Sequence, residues 1–163
     1  MTDQIEFEVR GIPIQQGSGR AFIVGRGTPK QRAIVTHDSR RDLGGWRRLI
    51  SNVAQGSAPE IPWDGPVGIS LGFRLPQPAS RPTTRGRGRS KVRFRIWPDR
   101  TPDLDKLIRA AIDSLTGIVF DDDKRVVEIH AAKDYGVPGL RVAVWRVVDG
   151  STAPSPAPAA PSA

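Results

Sequence analysis

Between residues 67 and 75 the apolar side chains Val67, Ile69, Leu71, Phe73 and Leu75 fall on every second position. Successive side chains of a strand point to opposite faces, so this run describes a strand with one face in a core and the other turned outward. Such a strand needs neighbours in a sheet and a second layer above its apolar face. A second pattern supplies that layer. Leu104, Leu107, Ile108, Ala111, Ile112 and Leu115 recur at spacings of three and four, which puts them on one stripe of an α-helix. Thr101 and Pro102 are expected to serve as its N-cap and first helical residue, and Gly117 as its C-terminal stop.

Weaker signals complete the order. Ile5, Phe7 and Val9 alternate with Glu6, Glu8 and Arg10 as a first strand. Ala21–Val24 and Ala33–Thr36 read as a hairpin. A helix capped at Asp38 or Ser39 and running to Gln55 aligns Leu43, Trp46, Leu49, Ile50 and Val53, although Gly44 and Gly45 each cost it about 1 kcal/mol. Val92, Phe94 and Ile96 suggest a short edge strand, and Val126–Ala132 and Arg141–Val148 two more strands. Several connections have hairpin length, which argues against an all-parallel sheet. The predicted fold is α+β: a small mixed sheet with two main helices, one domain over residues 1–148. A mobile basic loop is predicted near 76–92, and residues 149–163, rich in Pro, Ala and Ser, are expected to be a disordered tail.

The charge is unevenly placed. The chain has 163 residues and a formal charge of +8, yet residues 81–100 alone carry +7. Asp99, Asp103, Asp105, Asp113, Asp121, Asp122, Asp123, Glu128 and Asp134 follow as an acidic segment. A protein that merely coats DNA gains nothing from aspartates near phosphate. The combination suits one that binds a phosphate backbone and holds divalent cations against it. With no cysteine, thiolate metal sites and disulfide scaffolds are excluded, and His37 and His130 are the sole imidazoles. A metal would be held by oxygen, as Mg²⁺ or Mn²⁺ is. No apolar run reaches the roughly 18 residues of a membrane span, and the start, MTDQIE, has no leader character, so a cytoplasmic location is expected.

Two acidic motifs flank the second helix: Asp103 and Asp105 at its start, and Asp121–Asp123 after its end. Residues two apart on a helix do not face each other, so Asp103 and Asp105 can share an ion only with Asp103 on the non-helical approach or in the first turn. Asp123 must then return along the helix, most simply through a strand over Gly117–Phe120. The alternative is that the acids are caps and solvated turns, and that Asp105, Arg109 and Asp113 form an exposed salt-bridged face worth a few tenths of a kcal/mol per pair.

The segments PDLDKLIRAAIDSLTG (102–117) and FDDDKRVVE (120–128) resemble the signature of the RusA-type Holliday junction resolvases: D-x-D-N-L-x-K-x-x-x-D-x-L, then an acidic pair before a strand. The upstream order of strand, glycine-rich loop with Arg20, Arg26 and Lys30, and helix is similar more loosely. The resemblance implies a small α+β homodimer, found in bacteria and in phage-infected cells, that cuts four-way DNA junctions with Mg²⁺, for which Mn²⁺ substitutes. By position it implies metal ligands at Asp103, Asp105 and Asp123, with Asp122 their acidic neighbour. Two positions depart from the pattern. Lys106 stands where the family has asparagine, and Arg109 where it has a catalytic lysine; arginine can clamp phosphate but cannot give up a proton near neutrality. Lys106, near both Asp103 and Arg109 on the helix, is a candidate to fill that role. Arg85, Arg87, Arg89, Lys91, Arg93 and Arg95 are the candidate DNA contacts, reading backbone and not bases. Competing readings are a non-catalytic basic nucleic-acid-binding protein, a nuclease for forks or flaps, and an RNA-binding Arg-Gly module resting on Arg85–Arg89.

Overall fold

A computed structural model describes residues 4–17, 19–24, 32–37, 40–81, 84–86, 88–90, 92–93 and 96–148. The alternation over 67–75 does form a strand, β4 (Val67–Leu75), with all five apolar residues buried. It lies inside a mixed four-stranded sheet with β1 (Gln4–Arg10), β7 (Val126–Tyr135) and β8 (Gly139–Arg146), in the order β1-β8-β4-β7. β8 is antiparallel to both β1 and β4, whereas β7 runs parallel to β4 at the sheet's edge. Two helices supply the covering layer: α1 (Arg40–Gln55) and α2 (Leu104–Leu115). Trp46, Ile50 and Ala54 of α1 and Leu107, Ala111 and Leu115 of α2 join Ile69, Leu71 and Phe73 of β4 and Leu140, Val142 and Val144 of β8 in one core. The α+β expectation is therefore met.

The sheet's other face is built from small and polar residues. Gly68, Ser70 and Gly72 of β4 pair with Trp145, Ala143 and Arg141 of β8. Trp145 is nonetheless buried, at 5% exposure, because its indole lies over Gly68. A Cβ on Gly68 would come within 2.2 Å of that ring, so no other residue fits there. His130, bonded to Glu128 at 2.7 Å, stacks beside the indole with ring centroids 6.2 Å apart.

The hairpin predicted from the second and third apolar patches forms as β2 (Gly19–Val24) against β3 (Arg32–His37). The caps proposed for α1, Asp38 and Ser39, lie outside the described residues.

Three expectations are corrected. α2 begins at Leu104 with Asp103 as N-cap, so Thr101 is not the cap and Pro102 precedes the helix. Residues 117–120 form a turn, not a returning strand: Gly117, at φ 79°, reverses the chain and its amide bonds to the Phe120 carbonyl. Phe120 is then pinned by a bridge to Trp63, whose amide and carbonyl bond to Val119 and Asp121. The predicted edge strand is confined, among the described residues, to β6 (Val92–Arg93). It pairs with β5 (Thr84–Arg85) and not with the main sheet. At the root of this basic segment Arg81 clasps Asp99 through both guanidinium nitrogens, donates to the Trp97 carbonyl at 3.3 Å, and reaches the Tyr135 hydroxyl at 3.5 Å. Arg81 is thus committed to structure. Among the described residues no helix is long and apolar enough to cross a membrane.

Candidate active site

The return path that the sequence assigned to residues 117–120 is provided by β7. After the turn at Phe120, residues Asp123–Arg125 form one turn of 3₁₀ helix, and β7 then runs back beside α2. Near its far end the Lys133 ammonium donates to the carbonyls of Arg100 and Pro102, 2.8 Å each, on the approach to α2. Helix and strand together enclose an open groove of about 280 Å³. Its walls carry Asp105, Arg109, Asp113 and Asp123; Ile108, Ile112, Val126 and Ile129 supply the apolar part. The helical residues of the wall are at i, i+3, i+4, i+7 and i+8, one continuous stripe of α2.

Asp123 and Asp105 therefore face one space although they are eighteen positions apart in sequence. Arg109 lies between Asp105 and Asp113 along the helix. Among the described residues it forms no ion pair, and Asp113 is engaged from α1 instead, by Arg47 at 3.6 Å. The salt-bridged Asp105–Arg109–Asp113 face is thus not what forms. Among the described residues no carboxylate occupies the guanidinium fork, whose parallel donors match a pair of phosphate oxygens.

The remaining acids are neutralised by neighbours. Asp103 is extended, at φ −73° and ψ 134°, as sharing an ion with Asp105 requires. Its carboxylate does not line the groove; it accepts from Lys106 Nζ at 2.6 Å. The hydrogen bond and charge of Lys106, with Lys133 contributing, hold the Asp103 carboxyl below the usual carboxylate range, and Asp103 pushes the Lys106 ammonium up in turn. The Asp103 amide donates to Gln15 Oε1 at 2.5 Å, and the Gln16 amide donates to the Lys106 carbonyl. Asp122 caps the 3₁₀ turn, accepting from the Lys124 amide and ammonium at 3.0 Å each, and those bonds lower its pKa. Asp121 is held low by a two-pronged bond with Arg125, 2.8 Å on each side.

Gln15 and Lys133 were not singled out from the sequence. No local pattern marks a contact between residues 88 apart, as Gln15 and Asp103 are. Of the candidate DNA contacts, Arg89 is exposed on a 3₁₀ turn, and Arg85 and Arg93 belong to the paired strands β5 and β6. Arg87, Lys91 and Arg95 lie outside the described residues.

As a donor set the groove is all oxygen. Among the described residues no group of three or more acidic or imidazole ligands is gathered closely enough to hold a metal. Asp105 and Asp123 nevertheless fit a hard cation, since Mg²⁺ keeps several waters and is commonly bound through one or two carboxylates together with substrate phosphate.

An α+β domain with an acid-lined groove, an arginine in it that makes no ion pair among the described residues, and a strongly basic segment elsewhere in the chain has the parts of a phosphodiester-binding protein. Its sequence matches the family model described as endodeoxyribonuclease RusA over residues 16–145, and the chain belongs to that family. It is also 25% identical over 133 residues to a protein of Bacillus subtilis (strain 168), YqaN, itself described as uncharacterized; the match covers 82% of this chain and 89% of the relative.

Proposed function

We propose that this protein is a divalent-metal-dependent endonuclease that cuts four-way DNA junctions in recombination and repair, acting as a homodimer so that two strands are cut symmetrically. One observation carries the reading: Asp105, Asp123 and Arg109, which forms no ion pair among the described residues, line a single groove. Membership of the RusA family supports the reaction class.

Asp105 and Asp123 are the residues that would hold Mg²⁺, with Asp103 close by on the same segment. The bound cation would supply positive charge to the scissile phosphate and lower the pKa of attacking water. Arg109 orients the phosphate through two parallel N–H donors and offsets charge as it develops. Because it keeps its proton, it does not protonate the leaving oxygen. While paired with Asp103 the Lys106 ammonium is a weaker acid than usual, so in that state the leaving oxygen takes its proton from solvent. Arg85, Arg89 and Arg93, with Arg87, Lys91 and Arg95, engage the DNA arms through their phosphates, and each neutralised phosphate steepens the log–log salt dependence by about 0.9 on duplex DNA.

The test incubates the protein with labelled four-way, forked and linear DNA in Mg²⁺, Mn²⁺ or EDTA. Paired symmetric nicks in the four-way junction, lost in EDTA, are expected. Faster cutting of forks would reassign the substrate. Tight binding with no cutting under either ion would make the protein a binding module.

A further inference from the structure

We propose that Lys106 is an internal counter-ion of Asp103, displaced when a divalent cation enters the groove, so that this lysine sets the cation concentration at which the site loads. The inference rests on the metal-dependent reading above. Asp103 occupies the N-cap of α2, yet its carboxylate accepts no hydrogen bond from the helix amides. An N-cap aspartate ordinarily satisfies one of those amides. Here the carboxylate is turned to the ammonium one turn further on, Lys106 Nζ to Asp103 Oδ2 at 2.6 Å.

The backbone of the same residue is fixed independently of that pair. Gln15 accepts from the Asp103 amide, and Lys133 ties down the carbonyls of Arg100 and Pro102 just before it. The main chain is thus held by groups that a cation does not disturb. Among the described residues the carboxylate is hydrogen-bonded by one long side chain, and both partners are partly open to water, at 27% exposure for Lys106 and 43% for Asp103. Exposed ion pairs of this kind exchange readily, because solvent screens the attraction and holding a long side chain costs entropy.

Asp105, two residues on, faces the groove with Asp123. A dication recruited by those two carboxylates carries twice the charge of an ammonium and takes oxygen ligands. It offers Asp103 a stronger partner than Lys106 while leaving the backbone anchors in place. In its absence Lys106 offsets the repulsion that Asp103 would add to Asp105. The lysine thereby keeps the apo site stable and makes loading compete with an internal charge.

Mn²⁺ binding to the full-length protein, without DNA, tests this by calorimetry and by the electron paramagnetic resonance signal of the free ion. Lys106→Gln should bind Mn²⁺ about tenfold more tightly than wild type, the scale of removing one positive charge a few ångströms from a dication in partly solvated surroundings. Lys106→Arg should stay within about twofold, its charge being kept. Circular dichroism melts verify that each variant is folded. Combining Lys106→Gln with Asp103→Asn should abolish the gain. A gain that survives Asp103→Asn would show that Lys106 acts by diffuse charge alone, and overturns the proposal. So does wild-type binding that depends on Asp123 but is not tightened by Lys106→Gln, an outcome that leaves the metal reading intact. Absence of Asp123-dependent binding in every variant removes the metal reading and the proposal together.

Discussion

The two acidic segments that flank α2 handle the same problem differently. At the start of the helix Asp103 is neutralised by Lys106 from within α2, but the backbone that carries it is anchored by Gln15 and Lys133 from other parts of the chain. After the helix, Asp121 and Asp122 are neutralised by Arg125 and Lys124, all within one turn. In each segment one acid, Asp105 or Asp123, is left to the groove. The first segment is positioned by two remote side chains, whereas the second is pinned through the backbone of Trp63, which accepts from the Asp121 amide, and settles its charges within its own turn. Damage to the first should therefore come from single distant side chains, and damage to the second from residues of its turn or from loss of the Trp63 contact.

That contrast can be broken in several ways. The largest effect should come from Asp123→Asn or Asp105→Asn, each lowering the Mg²⁺-supported rate of junction cutting by on the order of a hundredfold or more. Asp121→Asn should stay within about threefold, its charge being already committed to Arg125; equal losses at Asp121 and Asp123 would erase the distinction drawn within the turn. Arg109→Ala should lower kcat/KM by roughly ten- to a hundredfold, with Arg109→Lys retaining part of it, because a point charge replaces a forked donor.

Lys133→Met should cost about 1 kcal/mol in urea unfolding, leaving two carbonyls without their donor. It should also slow cutting by about fivefold, on the scale that misplacing a catalytic group produces, while junction binding in EDTA is kept. A change in binding alone, with cutting intact, would show that the start of α2 does not depend on this remote anchor.

The smallest effect is the response to acid. Asp103 and Asp121 have their folded pKa values held below the ordinary 3.8 by Lys106 and Arg125. Stability from these pairs is present above that value and disappears as pH falls through the lowered ones. The urea midpoint of wild type should therefore drop more steeply below about pH 4 than that of Asp121→Asn, which has no such carboxylate to protonate. Parallel curves would remove the Asp121 pair from the account.

Much of the fold was legible because the relevant signals are local. The alternation from Val67 to Leu75 and the stripe from Leu104 to Leu115 each specify an element and its buried face without reference to anything else. What escaped depends on residues distant in sequence. The boundary at Asp103 is set partly by Gln15; the turn at Gly117–Phe120 is held by Trp63, more than fifty positions upstream. The parallel pairing of β7 with β4 leaves no mark in either strand's own sequence. The site was half legible for the same reason. Spacing and the family resemblance pointed to Asp103, Asp105 and Asp123 as sharing one ion, with Asp122 beside them; the structure brings Asp105 and Asp123 into one groove and leaves Asp103 and Asp122 outside its lining. That Asp113 would be taken by Arg47, leaving Arg109 with no ion pair among the described residues, requires knowing how α1 crosses α2. The burial of Trp145 on the far side of the sheet is explained by Gly68, a residue whose meaning appears once β4 and β8 are set in register.

The Arg81–Asp99 clasp has a consequence for how this domain tolerates change. By joining Arg81 to Asp99 beside Tyr135 it brings the two ends of the basic segment together, so that the chain between them is closed as a loop. Lengthening such a loop costs only about 0.6 kcal/mol for each doubling, because closure entropy grows with the logarithm of length. Changes of length or of arginine content at 84–86 and 88–90, inside the clasp, are therefore expected to leave the sheet, both helices and the groove undisturbed. The segment proposed to touch DNA arms can then be rewritten separately from the groove proposed to do the chemistry.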